Sequence, residues 1–574
     1  MYQPPLADMQ FVLERVAGLP AVARLPGFDE GVAELAPAVL AEAGRLASEV
    51  LAPLNAVGDR HGAVLENGVV RTAPGFKEAY RTYAEGGWMG LVFPEAHGGQ
   101  SLPWLLGTAA AEMWNAANLT FQLCPLLTQA GIEALIHHGT EAQRRLYLPR
   151  MVSGEWAGAM CLTEPQAGSD VGALRTRAEP DGEPGRYRLR GQKIYITFGE
   201  HDLTPNIVHM VLARLPGAPE GTKGISLFLV PKFLANADGS LGSRNDLRCL
   251  KLEHKLGIHG SPTCVMSYGD DEGAVGFLVG EEHAGMRCMF TMMNNARLAV
   301  GHEGLGLAER AYQAALAYAR DRAQGRAGGR PARIVDYPDV RRMLLTMRAQ
   351  IAAMRALCYV AAAEVDRSVR EPDPAARRLA ADRVALLTPV VKAWCTDLAQ
   401  EIARDAVQVH GGMGFVEETG VAQHYRDAKI LAIYEGTNGI QAGDLAGRKL
   451  SVSGGELPWR LFEELRGELA AAPADLAAGL GRALDALEGA TRHLQAADEA
   501  ARGAVAVPYL RLFGQTLGGF LLARGAAAAT AEEGRDWPGL ARFYVRHLLP
   551  PAVALAEVVR AGGEDLDAGL LVGA

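Results

Sequence analysis

Apolar and polar positions follow three different periods along the chain. From Phe28 to about Gly139 apolar residues recur at helical spacing in alanine-rich runs. These are broken at Ala73-Pro74-Gly75, Gly86-Gly87 and His97-Gly98-Gly99, which predicts an all-helical first domain. After Trp156 the pattern changes to short alternating or β-branched runs: Tyr187-Arg188-Leu189-Arg190, Lys193-Ile194-Tyr195-Ile196-Thr197, Ile207 to Ala213 and Ile225 to Val230. No helix-period segment separates them, and parallel strands would need crossover helices, so a compact antiparallel β-domain is expected. Helical periodicity returns at Gly285, where Leu305, Ala308, Tyr312, Ala315 and Ala319 form one apolar stripe. Gly325 to Pro331 reads as a loop, and a helical hairpin follows over 338–369 and 374–410. Beyond a linker at Ser451-Val452-Ser453-Gly454-Gly455 the remaining chain fits amphipathic helices. The fold class expected is therefore mainly α with a central β-domain. Its parts are an N-terminal helical domain (1–156), a middle β-domain (157–284), a C-terminal helical bundle (285–450) and an additional helical domain (456–574).

Composition narrows the function classes. A chain of 574 residues exceeds what one hydrophobic core serves, and 49% hydrophobic with 21% charged residues is a globular composition. The net charge of −9 leaves no electrostatic footprint for nucleic acid. The segment after 455 has no lysine and carries 16 acidic against 11 basic residues, a net −5 before the terminal carboxylate. Seven cysteines, at 124, 161, 249, 264, 288, 358 and 395, include no CxxC or other metal-ligand spacing, so reduced thiols and no metal are expected. Met1 to Phe11 lacks the regions of a signal peptide, and no apolar run reaches the ~18 residues of a membrane span. A cytoplasmic location is the expectation.

Candidate chemistry centres on Ile433-Tyr434-Glu435-Gly436-Thr437-Asn438. A carboxylate among apolar residues has its pKa raised toward that of a useful base, and the following glycine, Gly436, removes bulk where a substrate could approach. Glu435 is read as the group that removes a proton. Cys161-Leu162-Thr163-Glu164-Pro165-Gln166-Ala167-Gly168-Ser169-Asp170 offers hydroxyls and main-chain amides to a planar ring or a phosphate, although such a loop is more often only a turn. Tyr195 and Thr197 would share one face of a strand, which is also ordinary strand composition. In Val407-Gln408-Val409-His410-Gly411-Gly412-Met413-Gly414-Phe415 a helix cap explains one glycine, and close approach of a backbone or a pyrophosphate is the sharper reading of the rest. Arg297 stands among apolar neighbours and needs a partner, by salt bridge or by ligand. Arg322 and Gln324 lie near a helix C-terminus, where arginine is favourable in any case. No G-x-G-x-x-G, P-loop, H-E-x-x-H or G-x-S-x-G motif is present, so dinucleotide-binding Rossmann, P-loop, zinc peptidase and serine hydrolase readings lack support.

Taken together, T-E-P-x-A-G-S-D at 163–170, an aromatic-I-T at 195–197, Q-x-x-G-G at 408–412 and Y-E-G-T-N at 434–438 resemble the acyl-CoA dehydrogenase flavoprotein family over roughly 30–450. Val230 to Leu234, Glu253 to Thr263, Pro338 to Leu344 and the tail resemble its longer branch, which includes the 3-methylmercaptopropionyl-CoA dehydrogenases. The resemblance implies FAD as cofactor. Leu162, Thr163, Ser169, Ile196 and Thr197 would sit at the flavin ring, and Arg322, Gln324, Gln408, Gly411 and Gly412 at the pyrophosphate and adenosine end, partly across a subunit interface. Thr437 and Asn438 would touch the cofactor beside the base. Ser169, Asn294, Arg297 and Gly436 would contact the acyl-CoA substrate. Two positions depart from the family pattern: Asn294 stands where aspartate is frequent, and Gly325 follows Gln324 where phenylalanine is frequent. In some relatives the base lies beside the arginine matching Arg297; here that neighbour is Ala296, so Glu435 has no rival there.

The implied reaction is α,β-dehydrogenation of an acyl-CoA to the trans-2-enoyl-CoA. Glu435 would take the α-proton, flavin N5 the β-hydride, and an electron-transfer flavoprotein the electrons. The resemblance also implies at least a homodimer. The alternatives are an acyl-CoA oxidase that returns electrons to oxygen, or a stress-response relative that binds flavin or DNA without dehydrogenating. The acidic final segment disfavours DNA binding.

Overall fold

The computed structural model describes residues 2–566 and Leu571, and its chain contacts separate two compact units. One comprises 45–102 and 117–296, the other 2–44, 103–116 and 297 onward.

The first unit is built on strands. In chain order they are β1 (Val64–Glu66), β2 (Val69–Arg71), β3 (Trp156–Cys161), β4 (Arg177–Pro180), β5 (Arg186–Thr197), β6 (Asn206–Arg214), β7 (Ile225–Pro231), β8 (Phe233–Ala235), β9 (Leu241–Arg244), β10 (Leu247–Leu252), β11 (Thr263–Tyr268) and β12 (Ala274–Val279). The eight-stranded sheet runs β10-β11-β5-β12-β7-β6-β3, with β4 alongside β5 and β6. Its buried face joins Ile196, Val211, Phe228, Cys264 and Tyr268 in one apolar cluster.

Two expectations are corrected here. The sheet is not wholly antiparallel, because β3 pairs β6 in parallel from Trp156↔Asn206 to Cys161↔Val211. The crossover that a parallel pair requires is supplied by β4 and β5 rather than by a helix. The early helical region also contains a hairpin, β1 with β2, whose Val70 is buried in the β-core. Three-residue strands are too short to show a period of two.

Long helices make most of the second unit. Helix α1 (Trp104–His138) is interrupted at Asn118, where the two units divide. The Asn118 carboxamide accepts from the Thr120 hydroxyl (2.9 Å) and the Phe121 N–H (3.1 Å), capping the helix that restarts there. Then come α2 (Gly285–Asp321), α3 (Pro338–Arg370), α4 (Pro374–His410), α5 (Val421–Leu431), α6 (Asn438–Ala446) and α7 (Glu499–Ala528). The predicted hairpin over 338–369 and 374–410 is α3 with α4, and Leu305, Ala308, Ala315 and Ala319 of the predicted stripe are buried. The expected loop at 325–331 is instead a hairpin, β13 (Ala323–Ala327) with β14 (Arg330–Arg333), turned by Gly328 and Gly329 at positive φ.

Helices α1 and α7 are long and apolar enough to span a bilayer by length and composition, although the sequence shows no uninterrupted apolar run of that length. In each, 83% of the most apolar window is buried inside the fold, which marks them as core helices.

A buried ion cluster ties three helices of the second unit. Arg355 of α3 donates to Glu112 of α1 (Nη2 to Oε1, 2.6 Å) and to Glu309 of α2 (Nη2 to Oε2, 2.9 Å), and the Tyr359 hydroxyl donates to Glu112 at 2.6 Å. The mainly α architecture with a central β-domain and extra C-terminal helices is as expected from the sequence.

Candidate active site

Glu435 lies in the short turn from α5 to α6. It is one of few non-glycine residues at positive φ (55°), and Gly436 follows at 84°. A Cβ on Gly436 would stand 2.8 Å from Gln441 Nε2, so both its conformation and its lack of a side chain are required. The turn is closed by Thr437, whose side chain accepts from the Ile440 N–H at 3.2 Å as the N-cap of α6. Asn438 fastens it to α4: its Nδ2 donates to Asp397 (2.7 Å) and the Thr396 hydroxyl (2.9 Å), and its Oδ1 accepts from Lys392 Nζ at 2.8 Å.

Two side chains hold the Glu435 carbonyl: Arg297 Nε at 3.4 Å and Gln441 Nε2 at 3.5 Å. Arg297, 7% exposed, forms no ion pair among the described residues, and the negative charges that act on it are those of Asp444 and Glu435. Burial raises the Glu435 pKa above its ordinary value, and the positive charges of Arg297 and Lys392 oppose that rise. Lys392 is itself fully buried, and desolvation pulls its ammonium down to about 8 against the attraction of Glu435 and other carboxylates. Neither the Glu435 carboxylate nor its main-chain N–H has a hydrogen-bond partner among the described residues. A carboxylate and a main-chain N–H, groups that can accept a proton and donate a hydrogen bond, are thus both free at one residue.

Sequence reasoning missed Lys392 and also Glu303. Glu303 lies on α2 seven residues after Ala296, on the same helical face, and is fully buried. A carboxylate within the apolar stripe of α2 was the available signal. Ala296 is buried and inert as expected, but a second carboxyl stands two turns further along.

The other predicted residues of the second unit lie at helix ends. Gln408, Gly411 and Gly412 are exposed at the end of α4, and Gly411 caps that helix at φ 60°. A Cβ on Gly411 or Gly412 would meet open space, whereas one on Gly414 would meet the Val407 carbonyl at 2.2 Å. Two glycines of that motif therefore leave room outside the chain and the third serves packing. Phe415 beside them is 90% exposed. The turn is anchored by His410, stacked on Tyr318 of α2 at 4.3 Å between centroids. Arg322 and Gln324 are exposed just past α2, the latter in β13, where its carbonyl accepts from the Tyr337 hydroxyl at 2.8 Å. Gly325, the departure from the family pattern, has φ 66°, and a Cβ there would lie 2.5 Å from that same hydroxyl. Hairpin geometry accounts for the glycine.

In the first unit, Leu162 and Thr163 follow β3, and their carbonyls accept from Lys193 Nζ (3.0 Å) and the Ile194 N–H (2.9 Å) of β5. Glu164 is clamped by Lys193 Nζ (2.9 Å), the Thr176 hydroxyl (2.6 Å) and the Arg175 N–H (2.6 Å), and these partners hold its carboxyl down at about 2 despite burial. The loop is thereby fixed while the hydroxyls of Thr163, Ser169 and Thr197 keep no partner among the described residues. Tyr195 and Thr197 do not alternate as a regular strand: the register of β5 against β11 shifts, and Tyr195 takes φ 58° with 62% of its surface exposed. Ile196 between them is buried. Asn294 is exposed on α2 one turn before Arg297.

Comparison with known proteins places the chain in one family. Residues 38–155, 159–270 and 283–450 match the N-terminal, middle and C-terminal domains of acyl-CoA dehydrogenase, and 461–568 match the acetyl-CoA dehydrogenase C-terminal-like family. The chain is 48% identical to 3-methylmercaptopropionyl-CoA dehydrogenase of Ruegeria pomeroyi, with 92% of each chain covered. It is 33% identical to the broad-specificity linear acyl-CoA dehydrogenase FadE5 of Mycobacterium tuberculosis, with 98% of each covered. The fold is shared with ACDH-11 of Caenorhabditis elegans at a TM-score of 0.78 and 20% identity, covering 96% of this chain and 92% of that one. The chain belongs to the acyl-CoA dehydrogenase family and is an oxidoreductase.

Proposed function

We propose that this enzyme oxidises an acyl-CoA thioester to the trans-2-enoyl-CoA with FAD, that Glu435 abstracts the α-proton, and that the electrons pass to an electron-transfer flavoprotein. The observation that carries the reading is a half-buried carboxylate with no partner among the described residues, in a left-handed turn whose carbonyl is tied and whose N–H is free.

The residues fit a flavin nucleotide. Partnerless hydroxyls at Thr163, Ser169 and Thr197 on a fixed loop and strand end suit the polar edge of a planar ring, with Leu162 and Ile196 as apolar neighbours. The exposed Arg322, Gln324 and Gln408, with the open Gly411 and Gly412, suit a pyrophosphate and adenosine. Thr437 lies beside the base with its hydroxyl proton free; Asn438 has both ends of its amide engaged within the chain, so its part is to brace the turn. The chemistry FAD supplies when bound is acceptance of the β-hydrogen as hydride.

The chain's own residues manage the α-proton. Glu435 begins ionised beside Arg297 and Lys392 and becomes neutral as it takes the proton, while negative charge moves onto the thioester oxygen. The Glu435 N–H is a donor for that oxygen, worth roughly 3 to 4 kcal/mol by analogy with other oxyanion donors. An acyl chain that excludes water raises the basicity of Glu435 further. Ser169, Asn294, Arg297 and Gly436 are read as the substrate contacts, Arg297 through the turn whose carbonyl it holds. The exposed glycine turn with Phe415 supports a second copy of the chain against this face, and so at least a homodimer.

In Glu435→Gln we expect the yellow FAD to be retained and acyl-CoA to bind, with no bleaching of the flavin under anaerobic conditions. Bleaching at the normal rate would sink the assignment. Hydrogen peroxide formation without an added acceptor would overturn the choice of electron acceptor. A panel of acyl-CoAs of graded length, with aryl and thioether members, assayed by the same bleaching, identifies the acyl group.

A further inference from the structure

Behind the Glu435 turn stands a second carboxyl that the reaction as written does not use. Glu303 of α2 is 0% exposed, and one of its oxygens, Oε2, accepts from the hydroxyl of Tyr434, the residue immediately before Glu435. Its other oxygen, Oε1, has no partner, and it forms no ion pair among the described residues. The groups that face it are Tyr434 and Glu435 from the turn and Lys392 from α4, while its helix neighbour His302 is kept neutral by burial. Lys392 is committed to Asn438 at 2.8 Å. Glu435, by contrast, is next to two cations, Arg297 and Lys392.

We propose that Glu303 is a positioning residue for the proposed base: as the neutral acid it anchors Tyr434 and so holds the left-handed Glu435–Gly436 turn, leaving the ionised state to Glu435. The inference rests on the reading of Glu435 as the base. Two neighbouring carboxyls cannot both ionise cheaply, and Glu303, fully buried and acted on by Lys392 alone, keeps the proton, whereas Glu435 has both Arg297 and Lys392. Desolvation and the neighbouring Glu435 push the Glu303 carboxyl up to about 8, in line with that division. The pair titrates as a coupled unit, with Glu303 losing its proton last. Above that pH a second negative charge beside Glu435 opposes the negative charge that develops on the substrate, so flavin reduction slows.

The test uses the FAD-loaded enzyme. Infrared spectra from about pH 6 to about pH 10, taken as wild type minus Glu303→Gln so that the band of buried Asp366, itself pushed up to about 7, cancels, should show a carboxylic-acid carbonyl band that vanishes through about pH 8. Titration of Lys392 in the same range gives no carboxyl band. Glu303→Gln mimics the neutral acid, so its flavin-reduction rate at neutral pH should stay within roughly threefold of wild type and the decline at high pH should disappear. Glu303→Leu leaves the Tyr434 hydroxyl without its acceptor and should slow flavin reduction roughly tenfold to a hundredfold, with KM for acyl-CoA little changed. A difference spectrum without that band, or identical pH profiles for wild type and Glu303→Gln, would overturn the proposal. Glu435→Gln run alongside separates the two readings. If it reduces flavin normally the base assignment fails. If it is inactive while Glu303→Gln keeps the wild-type profile, only the role of Glu303 fails.

Discussion

At the scale of the residue, the proposed base is defined by the conformation of two neighbours in the chain. Glu435 at φ 55° pays strain that a glycine would not, and Gly436 at φ 84° has no room for a Cβ beside Gln441. Gly436→Ala should therefore lower the anaerobic flavin-reduction rate at least tenfold, with about 1 to 2 kcal/mol of added backbone strain and little loss of FAD absorbance. An unchanged rate would mean the turn tolerates a side chain. The sequence made Glu435, Gly436 and Arg297 legible because each is unusual where it stands: a carboxylate, a glycine and a cation among apolar residues. It did not reveal Lys392 or Glu303, since a lone charged residue in a helix reads as solvent-facing until the packing of α2 and α4 is known. The bulge at Tyr195 was hidden for a similar reason. A shift in pairing depends on the partner strand β11, which lies more than sixty residues away in the chain.

At the scale of the element, α1, α2 and α3 are joined by the Arg355 cluster, in which one guanidinium neutralises Glu112 and Glu309 away from water. Removing the cation strands two buried carboxylates, so Arg355→Met should cost about 3 to 5 kcal/mol in denaturant unfolding. Adding Glu112→Gln and Glu309→Gln to that variant should restore much of the loss; failure to do so would show that Arg355 acts through packing instead. Helix periods, the α3–α4 hairpin and the long strands β5, β6 and β7 were legible because burial on one face writes its period into the sequence. The hairpins β1–β2 and β13–β14 were not. Short strands carry too few residues for a period, and the glycines that turn them also mark ordinary loops.

At the scale of the whole molecule, the helices after 455 complete the helical unit. Gly514 and Gly518 of α7 receive the ring of Trp394 from α4, at 2.4 Å and 2.8 Å from where their Cβ atoms would be. The Trp394 indole N–H and the Tyr544 hydroxyl both donate to Gln515 (3.2 and 2.8 Å). A chain ending at Gly455 would uncover Trp394, which is 1% exposed in the full protein. We expect that truncation to give aggregated material or a broad, non-cooperative thermal transition; a sharp transition near that of the full chain would show the last segment to be dispensable.

The sequence by itself determined what local chemistry can determine: the periods of the helices and of the long strands β5, β6 and β7, the residues of the turn that carries the proposed base, and the motifs that mark the family. It did so because those properties depend on neighbours a few residues away. Tertiary structure alone decided the parallel β3–β6 pair, the bulge at Tyr195, the free N–H of Glu435 and the burial of Glu303 and Lys392 around it. Each of these depends on which distant segment arrives beside it, and on how much water that arrival removes.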